Sequence, residues 1–440
     1  MSNKKEKAAM LVAAEGGTLA PKLRFPEFRD AGEWGTKLLG SIGQTINGLS
    51  GKSGDDFGQG KPFITYKQVF DSAFVDFAKC GLVEIREGEN QNEIKRGDIL
   101  FTTSSETPDE VGYASVVLRE PPCPVYLNSF CFSFRPSSPN DLIPEFSGYL
   151  FRSPIYRKLV TILAQGSTRF NISKVAFLNL SLPIPQTKEQ QKIADCLASI
   201  DELITLESQR LDHLKLYKKG LMQQLFPTEG ETVPRLRFPE FRDAGEWELV
   251  SLNKLARRCT QKNRSGAITR VLTNSAEYGV VDQRDYFDKD IATQDNLEKY
   301  YIVEKGDYVY NPRISAAAPV GPISKNNVAT GVMSPLYSVF RFGDDNNDFY
   351  AHYFKTTGWH QYMRQASSTG ARHDRMAITN DDFMAMPLPI STLEEQQKIA
   401  DCLASIDELI TLESQRLDNL KTHKKGLMQQ LFPRMDEVEA

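Results

Sequence analysis

Two short loops carry the side chains best suited to chemistry in this chain of 440 residues. The first runs Gly166-Ser167-Thr168-Arg169, with Asn171 and Lys174 just beyond it. The second runs Ser368-Thr369-Gly370-Ala371-Arg372-His373-Asp374-Arg375. Each precedes a long, nearly identical segment, so the two loops hold matching places. Arginine set among Gly, Ser and Thr suits nucleic acid. Its guanidinium can bond a guanine edge at two points or grip a phosphate, and small polar neighbours allow close approach. More basic and amide residues fall at expected loops and strand ends. In the first half these are Lys52, Ser53, Tyr66, Lys67, Gln68, Thr103 and Ser104. In the second half Arg257, Arg258, Lys262, Arg264 and Arg270 occur with no acid among them, and Asn311 and Arg313 follow. A solvated surface charge is the plainer reading of any one of these residues. That reading does not explain why the Ser-Thr-Arg loops recur.

Other chemistries find little support. Asn47 to Ser53 resembles a phosphate loop, but Ile46 stands where the Walker A pattern requires glycine. Asn311-Pro312-Arg313-Ile314 only begins like the NPPY tetrapeptide of an amino-methyltransferase. None of the five histidines (His213, His352, His360, His373, His423) lies in an HExxH motif. The six cysteines form no CxxC pair, which argues against a zinc site and for a reduced, cytoplasmic protein. No catalytic residue, metal or cofactor is expected on this chain. The net charge of −4 disfavours a surface basic throughout but leaves room for local basic patches. No run of eighteen apolar residues occurs, so no membrane span is expected. Residues 1–20 begin basic and then apolar without a clear cleavage pattern, and read as a mobile tail.

The elements that must position these loops are repeated. Glu189 to Pro227 and Glu395 to Pro433 are 39 residues each, and three differences (His213/Asn419, Leu216/Thr422, Tyr217/His423) leave 36 identities. Apolar residues fall at Ile193, Leu197, Ile200, Ile204, Leu211, Leu214, Leu221 and Leu225, with Glu207 and Lys218 in the two remaining seam places. The second copy repeats them at Ile399, Leu403, Ile406, Ile410, Leu417 and Leu420. Spacings of four and three mark a coiled-coil seam about 48 Å long. Oligomerisation is one use for such a helix; pairing of the two copies within one chain is the other. Leu23 to Trp34 (LRFPEFRDAGEW) recurs as Leu236 to Trp247 and is expected to pack its Phe and Trp against the helix base.

Between these repeats lie two stretches of short strands. In the first, Phe63–Tyr66, Asp98–Phe101, Ala114–Leu118 and Phe130–Phe134 read as strands and Phe151–Leu163 as a helix. Thr187 and Gln190 offer a capping box for the long helix. The second stretch keeps the layout with little identity. Gly97-Asp98 matches Gly306-Asp307, Gly112 matches Gly321, Phe134-Arg135 matches Phe340-Arg341, and Leu182-Pro183-Ile184 matches Leu388-Pro389-Ile390. The fold class is therefore α+β: two similar globular domains of mixed sheet with helices, and two long antiparallel coiled-coil helices, in a tandem repeat with pseudo-two-fold symmetry. B-DNA has two-fold axes as well, so two such domains could face equivalent strand directions. A common frame with diverged inserts suits two readers of different things.

LRFPEF, the Gly-Asp strand start, the Ser-Thr-Arg loop, the Pro-x-Pro element, EQQKIA and the KKGLMQQLF end together resemble the specificity subunit of type I restriction–modification systems. The resemblance covers nearly the whole chain, twice. It implies target recognition domains at 21–186 and 228–391, spacer helices at 187–227 and 392–433, and a tail at 434–440. It also implies double-stranded DNA as ligand, each domain reading half of a split asymmetric target. Two modification subunits that methylate adenine, and restriction subunits that translocate and cleave, are the implied partners. S-adenosylmethionine, ATP and Mg would belong to those partners. The first loop lacks the Gly-Ala found at Gly370-Ala371, which sets Arg169 apart from Arg372. Two other readings stand beside this one: a coiled-coil scaffold with two protein-binding domains, and an enzyme with an unrecognised site.

Overall fold

The computed structural model describes residues 19–286, 294–367 and 374–434. The chain divides into two compact units: residues 1–208 with 415–440, and residues 209–414. The division is not sequential, because each unit takes part of both long helices. Residues 1–18 and 435–440, most of both tails, lie outside the described residues.

Unit one is built on a four-stranded antiparallel sheet in the order Gly43–Asn47, Cys131–Pro136, Ile99–Thr102, Ala114–Val116. Ile99–Thr102 is buried at every position, and the strand periodicity explains how. Ile99 and Phe101 face one apolar cluster with Phe132, Phe151 and Phe177, while Leu100 faces a second with Ile64 and Val69. A smaller sheet of Gly81–Val83, Phe57–Ile64 and Tyr126–Leu127 contains one parallel pair, so the unit is mixed.

Unit two repeats the central sheet with Ala256–Arg258, Ser338–Phe342, Tyr308–Tyr310 and Ile323–Lys325. Tyr308 and Tyr310 face one cluster and Val309 another, as in unit one. The paired sequence matches have structural causes. Gly97 and Gly306 take φ of 86° and 95°, a region open to glycine. The next residues, Asp98 and Asp307, are fully buried and receive two hydrogen bonds each from Arg135 and Arg341. Gly321, at φ 81°, also allows close approach: a Cβ there would sit 2.1 Å from the Asn311 carbonyl oxygen.

Two local expectations change. The helix expected at Phe151–Leu163 forms but begins at Pro154, because Ser153 caps it and Pro154 opens it, and a separate helix, Pro144–Leu150, precedes it. The capping box at Thr187 does not form. The Thr187 hydroxyl donates to the Asn140 carbonyl, and the Gln190 amide holds Ile143, Asp141 and Pro185.

The long helices are Thr187–Leu225 and Leu393–Gln430. Within unit one, Asp201 meets Lys424 at 2.5 Å and Glu207 meets Arg416 at 3.0 Å. Within unit two, Asp407 meets Lys218 at 2.5 Å and Glu413 meets Arg210 at 2.9 Å. One partner's number rises as the other falls, so the helices run antiparallel in each unit. Glu207, Lys218 and Glu413, charged residues on an apolar seam, are buried and paired. Ile200, Leu211, Ile406 and Leu417 are buried; Ile204, Leu214, Ile410 and Leu420 are half-buried. Ile193 and Leu197 join the main core of unit one, and Ile399 and Leu403 that of unit two. The first turns of each helix are thus part of a globular core as well as the start of a seam.

Phe25 and Trp34, and Phe238 and Trp247 in the second copy, pack at the helix base, as expected of the lead motif. Arg24 donates twice to Glu189, at 2.7 Å each, and buried Trp34 donates to the same carboxylate at 3.2 Å. In unit two Arg237 and Trp247 bind Glu395 in the same way. The Leu23 amide donates to Gln430 and the Leu236 amide to Gln224, both at 2.9 Å. Each lead motif is therefore tied to the start of one long helix and the end of the other.

Candidate nucleic-acid interface

In unit one, the segment after the core strand pairs with the segment before the short helix Lys174–Leu178. Ser104 lies opposite Asn171, and Ser105 opposite Phe170. Thr103 joins the same network: its amide donates to Phe130 and its carbonyl accepts from Ile172. The fold thus gathers Thr103, Ser104, Thr168, Arg169 and Asn171. Thr168, Arg169 and Asn171 are exposed. The Arg169 guanidinium lies 5.8 Å from the centre of the exposed Phe130 ring, a cation–π contact. Phe130 was not singled out from sequence, since a strand-end Phe gives no sign that its ring faces solvent.

Other first-half candidates serve the protein itself. Gln68 is buried, with its amide bonded to the Lys79 carbonyl and the Asp76 amide, which takes it out of the candidate interface. Lys52 binds Glu89 at 2.6 Å, and Ser53 closes a short turn with Asp56. The loop that resembled a phosphate loop is therefore internally paired. Tyr66 donates to the Ser104 carbonyl at 2.6 Å, and burial raises its phenol pKa. Lys67 is exposed and pairs with Asp71 one turn on. Lys174 donates to the Asn47 side chain, and partial burial lowers its proton affinity.

In unit two the equivalent pairing sets Arg313 opposite Arg375. Ile314 N donates to Asp374 O at 3.0 Å and Met376 N to Pro312 O at 2.9 Å. These bonds flank the pair rather than join it, the arrangement in which facing side chains stand closest. Arg313 is exposed, and buried Arg375 Nε has no hydrogen-bond partner among the described residues. A cleft of about 460 Å³ adjoins them, lined by Arg313, Thr273, Asn274, Gln283, Ser334 and Tyr337 among others. Asn311 also lines it but is buried, and its amide bonds the Asn274 carbonyl and the Arg313 amide. Sequence reading passed over the cleft residues. Thr273-Asn274-Ser275 was nonetheless legible as a polar run inside a strand.

The basic run is dispersed. Arg257 and Arg258 lie on a core strand, Arg257 exposed and Arg258 half-buried. Lys262 and Arg264 are exposed on a loop held by buried Asn263. Arg270 lies 3.5 Å from Asp282. Thr369, Arg372 and His373 fall outside the described residues. Among the described residues no His, Cys, Asp and Glu group could hold a metal, and no helix is long and apolar enough to cross a membrane.

Comparison with known proteins agrees with this architecture. The family model described as "Type I restriction modification DNA specificity domain" matches residues 31–216 and again 246–422. The chain is 24% identical over 417 residues to the proposed MjaX type I restriction enzyme specificity subunit of Methanocaldococcus jannaschii, covering 91% of this chain and 93% of that one. It is 24% identical over 305 residues to that organism's MjaVIII specificity subunit, covering 64% and 69%. Among solved structures, the S subunit of a type I restriction–modification system from M. genitalium shares the fold with a TM-score of 0.52 at 13% identity, covering 94% of this chain and 99% of that chain. A chain from a study of assembly and conformational transition of the type I system gives 0.54 at 15%, covering 91% and 97%. Both matched segments are copies of a DNA specificity domain, and together they take in most of the chain. The chain belongs to the type I restriction–modification specificity-subunit family.

Proposed function

We propose that each unit reads one half of a split, asymmetric DNA target and that the paired helices set the gap between the halves. The observation that carries this is the contrast between frame and reading positions. Arg-Trp-Glu clusters, buried Asp-Arg pairs and helix ion pairs repeat from unit to unit. At matching places beside them, Ser104 and Asn171 in one unit answer to Arg313 and Arg375 in the other. Arg169 and Asn171 are the leading contacts in unit one, and Arg313 and Arg375 in unit two. The helices dock two modification subunits, which methylate adenine, and the complex recruits restriction subunits.

With a net charge of −4, the chain alone has little general attraction for DNA, and modification subunits tighten and sharpen its binding. Methylome sequencing of the host with and without the gene tests the reading. It should show one bipartite adenine-methylated motif that vanishes on deletion. An unchanged methylome, together with specific capture of a protein by each unit, would favour a protein-binding scaffold.

A further inference from the structure

We propose that Arg313 and Arg375 form the base-reading pair of unit two and that the base they read is guanine. This rests on the DNA-reading function argued above and names the side chains and base class.

The pairing geometry is the first argument. Arg313 and Arg375 face each other at a place where no backbone bond separates them, so their side chains leave the same face side by side. Like charges placed directly opposite destabilise a strand pair. Exposed Asp374, 3.7 Å from Arg375 Nε, is the carboxylate found beside the pair. Among the described residues, buried Arg375 Nε has no hydrogen-bond acceptor and Arg313 enters no ion pair. A folding role would be better served by almost any other pair. An electron-rich ligand between the two guanidinium groups offsets their repulsion.

The choice between base and phosphate rests on the comparison of units. A phosphate contact carries no sequence information, so two readers could share it. Here the frame is shared and the pair is not: the residues at this address in unit one are Ser104 and Asn171. A difference at the reading address is what sequence readout requires. The planar guanidinium fork matches guanine O6 and N7, the commonest specific arginine contact. The neighbouring cleft adds neutral hydrogen-bonding groups, Thr273, Gln283, Ser334 and Tyr337, which can meet base edges but give a phosphate no charge.

The test uses the full chain in complex with its modification subunit, on duplexes altered at each base pair of the second half-site. The wild-type complex must first show a bipartite target; failure there overturns the DNA-reading function itself. Arg313→Ala should lower preference for one or two G·C pairs by about ten- to a hundred-fold, leaving the first half-site untouched. Placing 7-deazaguanine at those pairs should weaken the wild-type complex but not the Arg313→Ala complex. Arg313→Lys should keep overall affinity and lose guanine preference. Because Arg375 is partly enclosed, Arg375→Ala is read only if its thermal unfolding matches wild type, and Arg313→Ala decides otherwise. A second half-site without guanine overturns the proposal. So does a uniform loss across all sequences with a shallower salt dependence, the mark of a phosphate contact.

Discussion

Arg237 and Glu395 meet through two parallel hydrogen bonds of 2.6 and 2.8 Å, although 158 residues separate them. Their side chains are 7% and 0% exposed. This fork fastens the lead motif of unit two to the first turn of the second long helix. Arg24 and Glu189 repeat it in unit one. Removing one partner leaves a buried charge unmatched. Glu395→Ala should therefore cost about 3–5 kcal/mol, measured by denaturant unfolding. A loss below about 1 kcal/mol, the range of exposed pairs, would mean that the fork does not hold the frame.

His352 should make unit two sensitive to acid. Burial, then Lys218 and Lys355, lowers its pKa to about 4. Its unfolded value is near 6.5, so the unfolded chain binds the proton more readily. Stability is then fully present above about pH 6.5 and is lost as pH falls towards 4. The whole shift corresponds to about 3 kcal/mol. Tyr149 holds the corresponding place in unit one and donates to Asp201 at 3.0 Å. His352→Phe should flatten the loss between pH 6.5 and 4. Parallel stability curves for the two proteins would contradict this.

Arg169 and Gln68 should separate on mutation. Arg169 is exposed over Phe130, whereas Gln68 is buried and bonded to backbone. Arg169→Ala should weaken discrimination in the first half-site by about 1–3 kcal/mol, if its contact is a base edge. Gln68→Ala should lower stability and leave the recognised sequence unchanged. Methylation rates on substituted duplexes, beside unfolding curves, give both readouts. The reverse assignment would move the interface to the other side of this segment.

Half of the chain should rebuild the helix pairing with a second copy of itself. Lys218 meets Asp407, the repeat of Asp201; Arg210 meets Glu413, the repeat of Glu207. Two copies of residues 1–230 can therefore reproduce both ion pairs and the apolar seam in antiparallel register. The three differing positions of the first copy (His213, Leu216, Tyr217) are exposed, away from that seam. Light scattering should give a dimer, and with the modification subunit its methylation target should be a palindrome of the first half-site. A soluble monomer would show that the helices are not interchangeable.

Sequence alone determined the repeat, the helix seam and the family, because these depend on order and spacing along the chain. The 36 shared positions of 39, the four-three spacing and the Glu207 and Lys218 exceptions are all local facts. The equivalences Asp98/Asp307 and Arg135/Arg341 were also visible, though not that each Asp is bonded to its Arg. The tertiary structure decided which polar residues are free. Gln68 and Arg169 are both polar residues near Gly, Ser or Thr, yet one is enclosed and the other stands over an exposed ring. Burial and pairing are set by other elements of the fold, as Lys79 is for Gln68 and Phe130, 39 residues away, for Arg169. The facing of Arg313 and Arg375 across 62 residues belongs to the same class. A linear pattern fixes which face a residue takes on its own element; only the packed chain fixes what that face meets.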